Sequence, residues 1–207
     1  MIPTISSEST DNDHRLGDAL AESAATYLRE RASDDYKAAR EHAQRKLGAP
    51  HMSNHPSNSQ IAEALHRQLA FFQPERQQAL LAKLRKVAVE AMEFFADYNP
   101  KLVGSALDGT ANDHSAVVLH VFADTVEEVI FHLQDSNVPY DLHDRRLPRG
   151  KSSATTTVPM LSFIAGDTPL EVYVFDYTRG RQAPPCPVSG KPMKRASRQQ
   201  VIKLLAA

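Results

Sequence analysis

The 207-residue sequence has a single cysteine, Cys186, and no tryptophan. One cysteine excludes a disulfide within the chain and a cysteine-rich zinc site. No apolar run approaches the roughly 20 residues that span a bilayer, and the first 14 residues lack the basic and apolar segments of a secretory signal. We therefore expect a cytoplasmic protein without a membrane contact, and a disordered tail over residues 1–14.

Acidic residues are absent from Tyr177 to Ala207, a stretch that contains seven cations. Because the net charge of the whole chain is −1, the remainder carries about −8. A basic arm on an acidic body predicts either an anionic partner such as nucleic acid or docking of the arm onto body carboxylates. The cations are Arg179, Arg181, Lys191, Lys194, Arg195, Arg198 and Lys203, and the candidate carboxylates are Asp124, Glu127 and Glu128.

Apolar residues at helical spacing predict four helices between residues 15 and 98. The second is expected to have Asp34 as its cap and to end at Gly48, and the fourth begins at Pro74. The first, third and fourth carry clear apolar stripes, namely Leu16, Leu20, Ala24, Tyr27 and Leu28; Ile61, Leu65, Leu69 and Phe72; and Leu80, Leu84, Val87, Ala91, Phe94 and Tyr98.

The second half of the chain changes to short β-branched and aromatic runs, which predict strands. These runs are KLVGS, AVVLHVFA, TVPMLSFIA and PLEVYVFD, and VPYDLHDRRL is expected to be a further short strand. Thr125 and Ser197 are expected to cap two helices in this half. The sequence therefore predicts an α+β protein: a helical region (15–98), a mixed-sheet α/β core (99–176), and a basic, proline-rich arm with a terminal helix (177–207).

The stretch KLVGSALDGTANDHSAVVLHVF is similar to the signature of the minimal nucleotidyltransferases of the polymerase-beta superfamily. There an apolar strand runs into Gly-Ser, a short helix and a turn follow, and the next strand begins Ser-Asp-hydrophobic-Asp. Ten residues separate Ser105 from Ala116, which is inside the range of that family. The resemblance implies a nucleotidyltransferase-like core in which Gly104 and Ser105 bind the phosphates of a nucleotide.

The acids of that family hold divalent ions, Mg²⁺ or Mn²⁺, which neutralise charge on the transferred phosphoryl group. The first two acids are missing here, because Ala116 and Val118 occupy their positions and neither offers an oxygen ligand. The resemblance places the third acid at Glu171, which is then the one candidate catalytic carboxylate. In addition, Asp108 stands where active members often have a basic residue. We expect a degenerate two-metal site, and so a pseudoenzyme that binds a nucleotide or another anion weakly.

Two further functions stay open. Asp113, His114 and His120, together with Glu171, are candidate ligands of a replacement metal site, because imidazole and carboxylate groups bind transition metals. Such a site would keep the transferase active, whereas the alternative is that these are turn residues and a hydrogen-bonded strand histidine. The basic arm predicts the other function, a module that binds nucleic acid or protein.

Over its whole length the chain resembles a little-characterised bacterial group of nucleotidyltransferase-like proteins, some of which carry the label UDP-N-acetylmuramate–alanine ligase. The residues argue against that activity. Such ligases need a glycine-rich phosphate loop that ends in Gly-Lys-Ser/Thr. The segment RGKSS supplies Gly150, Lys151 and Ser152, but Arg145 stands at the position of the first glycine. A chain of this length is also far short of a three-domain ligase.

Overall fold

The computed structural model describes residues 6–31, 33, 35–48, 55–72, 74–148, 155–178, 180 and 182–206, except for the side chains of residues 6–14. The described residues form seven α-helices and one five-stranded mixed sheet, which confirms the predicted α+β class. The chain divides into two compact units, Met1–Gln77 with Pro187–Ser189 and Gln78–Cys186 with Gly190–Ala207. The loop residues Gly150, Lys151 and Ser152 and the cations Arg179 and Arg181 lie outside the described residues.

The first unit contains helices α1 (Ser6–Arg31), α2 (Tyr36–Lys46) and α3 (Asn58–Phe72). α1 begins inside the segment for which the sequence predicted a disordered tail. The predicted stripes of α1 and α3 supply the core, in which Leu20, Leu28 and Ile61 are buried. Phe72, predicted on the same stripe, is instead 60% exposed, and the guanidinium of Arg29 lies 4.6 Å from the centre of its ring.

The cap of α2 is Asp35, one residue later than predicted. Its side chain accepts a hydrogen bond from the backbone N–H of Ala38 at 2.9 Å. The predicted cap, Asp34, lies outside the described residues. Since both aspartates precede the helix, the sequence alone could not distinguish them.

Helix α4 (Pro74–Phe94) is followed by a short 3₁₀ turn (Ala96–Tyr98), and most of α4 belongs to the second unit. The buried residues of α4 are Leu84, Ala88 and Met92, and Phe95 continues this row. The other residues of the predicted stripe are partly buried and pack against the edge of the core. The buried row packs in the same hydrophobic core as the sheet. The predicted helical region, 15–98, is therefore divided, because α4 packs with the sheet.

The sheet contains β1 (Lys101–Val103), β2 (Val117–Phe122), β3 (Asp141–Pro148), β4 (Thr155–Ala165) and β5 (Thr168–Phe175). The strand order is β1-β2-β5-β4-β3. β2 and β5 run parallel, and every other neighbouring pair is antiparallel. Every run that the sequence predicted as a strand contains one, although Ser105 of KLVGS begins a short helix and β3 begins only at Asp141.

Side chains alternate between the two faces of these strands. On one face, Leu119 and Val172 lie in the core with α4 and helix α6 (Val126–Asp135). The opposite side, which we call the second face, carries the other set of β2 and β5 side chains: Val118, His120, Phe122, Glu171, Tyr173 and Phe175. The remaining helices are α5 (Ser105–Asp108), between β1 and β2, and α7 (Arg198–Leu205).

The C-terminal arm pairs with the edge of the sheet. Leu102 and Ala196 exchange two backbone hydrogen bonds of 2.9 Å each, which places the arm beside β1. Upstream, the arm forms a hairpin in which Pro185 and Pro192 face each other and the N–H of Cys186 donates to the carbonyl of Lys191 at 2.7 Å. The proline-rich segment is thus ordered by its own backbone hydrogen bonds.

Candidate functional site

Strand register brings the positions of the predicted site together on the second face. Val103 is the register partner of Val118, and Val118 is the register partner of Glu171. Register partners project from the same side of a sheet, so Val118 and Glu171 are neighbours. Ala116 lies two residues before Val118, directly ahead of β2. The same row continues through Ser162 on β4.

Gly104 connects β1 to α5 beside this row. Its φ of 76° and ψ of −157° are a conformation that glycine adopts without strain and L-residues avoid. A Cβ built on Gly104 would lie 3.9 Å from Val118 Cβ. Ser105 begins the short helix and is half-buried. The Gly-Ser turn is therefore adjacent to the position where the resemblance calls for an acid.

Glu171 is half-buried and has a tyrosine partner. The hydroxyl of Tyr173 donates to Glu171 Oε2 at 3.2 Å. Burial and, secondarily, the negative charge of Glu171 raise the pKa of Tyr173 to about 12, so its hydroxyl stays a donor at neutral pH. The carboxyl group of Glu171 therefore has the phenol of Tyr173 as a hydrogen-bond donor.

Two cations lie near α5: Arg85, which the sequence did not point to, and Lys194, one of the cations of the arm. Arg85 on α4 donates from Nε to the backbone carbonyl of Ala106 at 3.0 Å. Burial raises the pKa of Asp108, and the positive charge of Lys194 on the arm partly opposes that rise. The positive charge of Lys194 therefore compensates part of the negative charge of Asp108.

His120, a predicted metal ligand, is fully buried and already engaged. Its Nδ1 accepts a hydrogen bond from Arg195 Nε at 3.1 Å, which fixes the tautomer with the proton on Nε2. The ring lies between Tyr173 and Phe175, 5.9 and 4.7 Å from their centres. Burial, and then the charge of Arg195, lower the pKa of His120 to about 3. His120 is therefore neutral at physiological pH.

Asp113 and His114, the other predicted ligands, lie in an exposed turn. The Asn112 side chain accepts from the N–H of His114 at 2.8 Å, and the Asn112 N–H donates to Ser115 Oγ at 2.9 Å. Within the ranges that the structure describes, no group of three or more His, Cys, Asp or Glu residues is arranged to hold a metal ion. Metal binding at Asp113, His114 and His120 stays a prediction.

Arg195 joins the arm to the second face. Besides its contact with His120, it donates from Nη1 to the carbonyl of Gly180, and its guanidinium lies 5.2 and 5.4 Å from the ring centres of Phe122 and Phe175. Its Nη2 is buried without a hydrogen-bond partner in the described part of the chain. Burial lowers the pKa of Arg195. The side chain combines cation–π contacts with hydrogen bonds to neutral acceptors.

The arm also pairs with the body through Arg198, whose Nη2 lies 2.7 Å from Glu93 Oε2 on α4. Of the carboxylates predicted as partners, Glu128 instead accepts a hydrogen bond from the N–H of Thr125 at 3.3 Å and closes the capping box of α6. Pairing of the arm with Asp124 and Glu127 stays a prediction.

Comparison of the chain with protein-family models, curated proteins and solved structures finds no match. Arg85 is a contributor that the sequence did not single out. Lys194 and Arg195 were named as cations of the arm, but their partners Asp108 and His120 were not predicted, because they are distant along the chain.

Proposed function

We propose that the chain is a nucleotidyltransferase-like protein that has lost two of the three acids of its metal site, and that it binds a nucleotide or another anion weakly without transferring it. The observation that carries this proposal is the register of Val118 with Glu171, with Gly104 beside Val118. This proximity supports the proposal, because the resemblance implies that the Gly-Ser turn and the acid positions lie close together, and Glu171 is 53 residues from Val118 in sequence.

The side chains of this site do not supply the metal ligands that phosphoryl transfer needs. Two divalent ions need several oxygen ligands, whereas Ala116 and Val118 offer none and Glu171 offers a single carboxylate. Binding of an anion does not depend on those ligands. The groups that suit an anion are the Gly104 turn, the Ser105 hydroxyl and the nearby cations Arg85 and Lys194. A pseudoenzyme that retains weak, Mg²⁺-independent anion binding is consistent with both points.

Calorimetric titration with ATP, GTP, CTP and UTP, each with and without Mg²⁺ or Mn²⁺, tests the proposal. We expect weak binding that the metal does not strengthen and that Lys194→Ala and Ser105→Ala weaken. Lys203→Ala, which removes an exposed cation of α7, is the control for charge alone. Metal-dependent nucleotide transfer at an ordinary enzymatic rate, abolished by Glu171→Ala, would contradict the proposal.

Restoring the acids provides a second, independent test. The double variant Ala116→Asp/Val118→Asp should bind Mn²⁺ in an electron paramagnetic resonance titration, because two carboxylates then join Glu171 on one face. The isosteric Ala116→Asn/Val118→Asn variant controls for polarity, and adding Glu171→Gln to the aspartate variant should weaken the binding at least tenfold. Equal Mn²⁺ binding by the Asp and Asn variants would show that the three positions do not form one site.

The alternative function, nucleic-acid or protein binding through the basic arm, has less support. Arg195 and Arg198 are engaged within the second unit, with His120 and Glu93. Binding to RNA or DNA that falls steeply with added salt, and that charge-removing substitutions at Lys191 and Lys203 weaken, would favour it. An active enzyme with a rearranged metal site is the third possibility, and metal analysis of the purified protein tests it.

In the described ranges, no helix has both the length and the apolar character that a membrane crossing requires. A cytoplasmic location stays the prediction made from the sequence.

A further inference from the structure

The two outer strands of the sheet differ in what lies beside them. β1 pairs on its outer side with the arm, through Leu102 and Ala196. β3 is the other outer strand, and among the described residues only β4 pairs with it. One side of its eight-residue backbone therefore presents N–H and C=O groups that β4 does not reach. An open edge of this kind is a template for the addition of another strand.

The side chains of β3 are exposed on both faces of the sheet. Six consecutive residues, from Asp141 to Arg146, are exposed, although an antiparallel strand commonly packs one of its faces on a core. Leu142, one of the six, leaves 50% of its surface exposed. The edge of β3 and both of its faces are therefore accessible to a partner.

The charges of β3 are arranged around His143. Asp141 lies two residues before it and Arg145 two residues after it, and all three belong to the second face, because Asp141 is the register partner of Ser162. Asp141 and Arg145 are roughly 13 Å apart at the usual strand rise, too far to pair with each other. Neither forms a salt bridge within the part of the chain that the structure describes.

This pattern is complementary to itself when two copies pair antiparallel. A two-fold axis places one residue opposite its own copy, and residues equally far before and after it opposite one another. With His143 on the axis, Asp141 of each copy is opposite Arg145 of the other, which makes two opposite-charge pairs. An axis at Asp144 or at Arg145 would place like charges opposite each other, and an axis at Leu142 would leave Arg145 without an acid opposite it. The charges therefore favour the register centred on His143.

The same register suits the side chains of the other face. The Leu142 side chains of the two copies become diagonal neighbours across the axis, a distance that large side chains bridge. Tyr140, directly before β3, is then opposite Arg146 of the other copy, and a guanidinium beside a phenol ring is a favourable cation–π pair. An exposed leucine thus gains an apolar neighbour where the charges alternate.

We propose that β3 pairs antiparallel with β3 of a second copy of this chain, centred on His143, so that the two sheets join edge to edge. The interface does not use Gly104, Ser105 or Glu171, so the proposal is independent of the proposed function. Because register partners project from the same side of a sheet, the second faces of both copies lie on one side of the joined sheet.

Sedimentation equilibrium of the full chain between about 5 and 500 µM, the range of weak association, tests the proposal, and we expect a monomer–dimer equilibrium. Asp141→Arg and Arg145→Asp should each weaken the dimer at least tenfold, because each change turns two attractions into two repulsions. An equal mixture of the two variants should associate as the unchanged chain does, since opposite charges then face each other again. Asp135→Arg reverses an exposed charge on α6 and is the control, which should leave the dimer unchanged.

The position of the axis has its own test. His143→Lys would place two ammonium groups opposite each other and should weaken the dimer at least tenfold, whereas His143→Gln should not. Since these side chains are exposed, the circular dichroism spectrum of each variant should match that of the unchanged chain. The proposal is overturned if the chain stays monomeric over the whole range, if mixing the two reversed variants does not recover association, or if His143→Lys dimerises as the unchanged chain does.

Discussion

Arg195 Nε donates a hydrogen bond to Nδ1 of His120 at 3.1 Å, and this contact attaches the C-terminal arm to a buried position of the sheet. The two residues are 75 positions apart in sequence. Because the acceptor is a neutral imidazole, the contact depends on the protonation state of His120, which leads to the first prediction.

The stability of the second unit should fall in acid because of His120. Its folded pKa of about 3 is below the ordinary value of 6.5, so the unfolded state binds the extra proton first. The contribution of neutral His120 to the free energy of unfolding is complete above pH 6.5. It is lost as the pH falls toward 3, by up to about 1.4 kcal/mol per pH unit. Urea unfolding between pH 3 and 8 measures this. His120→Asn should show a shallower pH dependence over that interval, and equal slopes for the two proteins would contradict the assignment.

Removing the Arg195 guanidinium should destabilise the second unit and raise the pKa of His120. Arg195→Met keeps apolar contact with the phenylalanine rings but leaves Nδ1 of His120 without its donor, at a cost of roughly 1–3 kcal/mol in the free energy of unfolding. The pKa of His120 should rise but stay below 6.5, since burial is the larger cause of its depression. Histidine NMR titration measures the pKa.

Arg198→Met provides the control for Arg195. The Arg198–Glu93 pair is exposed, with side-chain exposures of 45% and 62%, so its loss should cost less than about 1 kcal/mol. If the two variants were equally destabilised, the attachment of the arm would not depend on the contact with His120.

Gly180 should tolerate no side chain. A Cβ at this position would lie 2.3 Å from two carbons of the Phe122 ring, which is itself buried. Gly180→Ala should therefore cost roughly 1–3 kcal/mol through displacement of that ring. Gly17→Ala is the control, because that helical glycine has no atom within 4 Å of an added Cβ, and the change should be neutral or stabilising by up to about 1 kcal/mol. Chemical denaturation of both variants tests the contrast.

The hydroxyl of Tyr173 should titrate at lower pH when Glu171 loses its charge. Glu171→Gln removes the Coulombic cause of the raised pKa and leaves burial, the largest cause. The pKa should therefore fall from about 12 toward 10 without reaching it. Tyrosine-selective NMR between pH 10 and 12, with Tyr173→Phe to assign the signal among the six tyrosines, measures the shift. An unchanged pKa would mean that Glu171 does not interact with Tyr173.

The local features of the fold were accessible from the sequence. The strands follow from β-branched runs between turn residues, and the caps of α6 and α7 follow from Thr125 and Ser197, each with an acceptor three residues later, Glu128 and Gln200. These signals act over a few residues, so no knowledge of the tertiary structure was needed. The cap of α2 was misplaced by one residue because two adjacent aspartates supply the same signal.

The candidate site was accessible only in part. Alternation places Val118 and His120 on one face of their strand, but the register of Val118 with Glu171 depends on pairing between strands more than 50 residues apart. The metal hypothesis combined Asp113, His114 and His120 with Glu171. The structure buries His120 and leaves Asp113 and His114 in an exposed turn, an arrangement that the sequence alone did not indicate. The partners of Arg85 and Arg195 had no local signal.

The two hydrogen bonds between Leu102 and Ala196 have a consequence for truncation experiments. β1 has only three residues, and the arm occupies the side of it that faces away from β2. A chain shortened at Tyr177 would present that side as an unprotected template for intermolecular β-pairing. Such a truncation is therefore expected to self-associate, and the arm is better probed by single side-chain substitutions than by deletion.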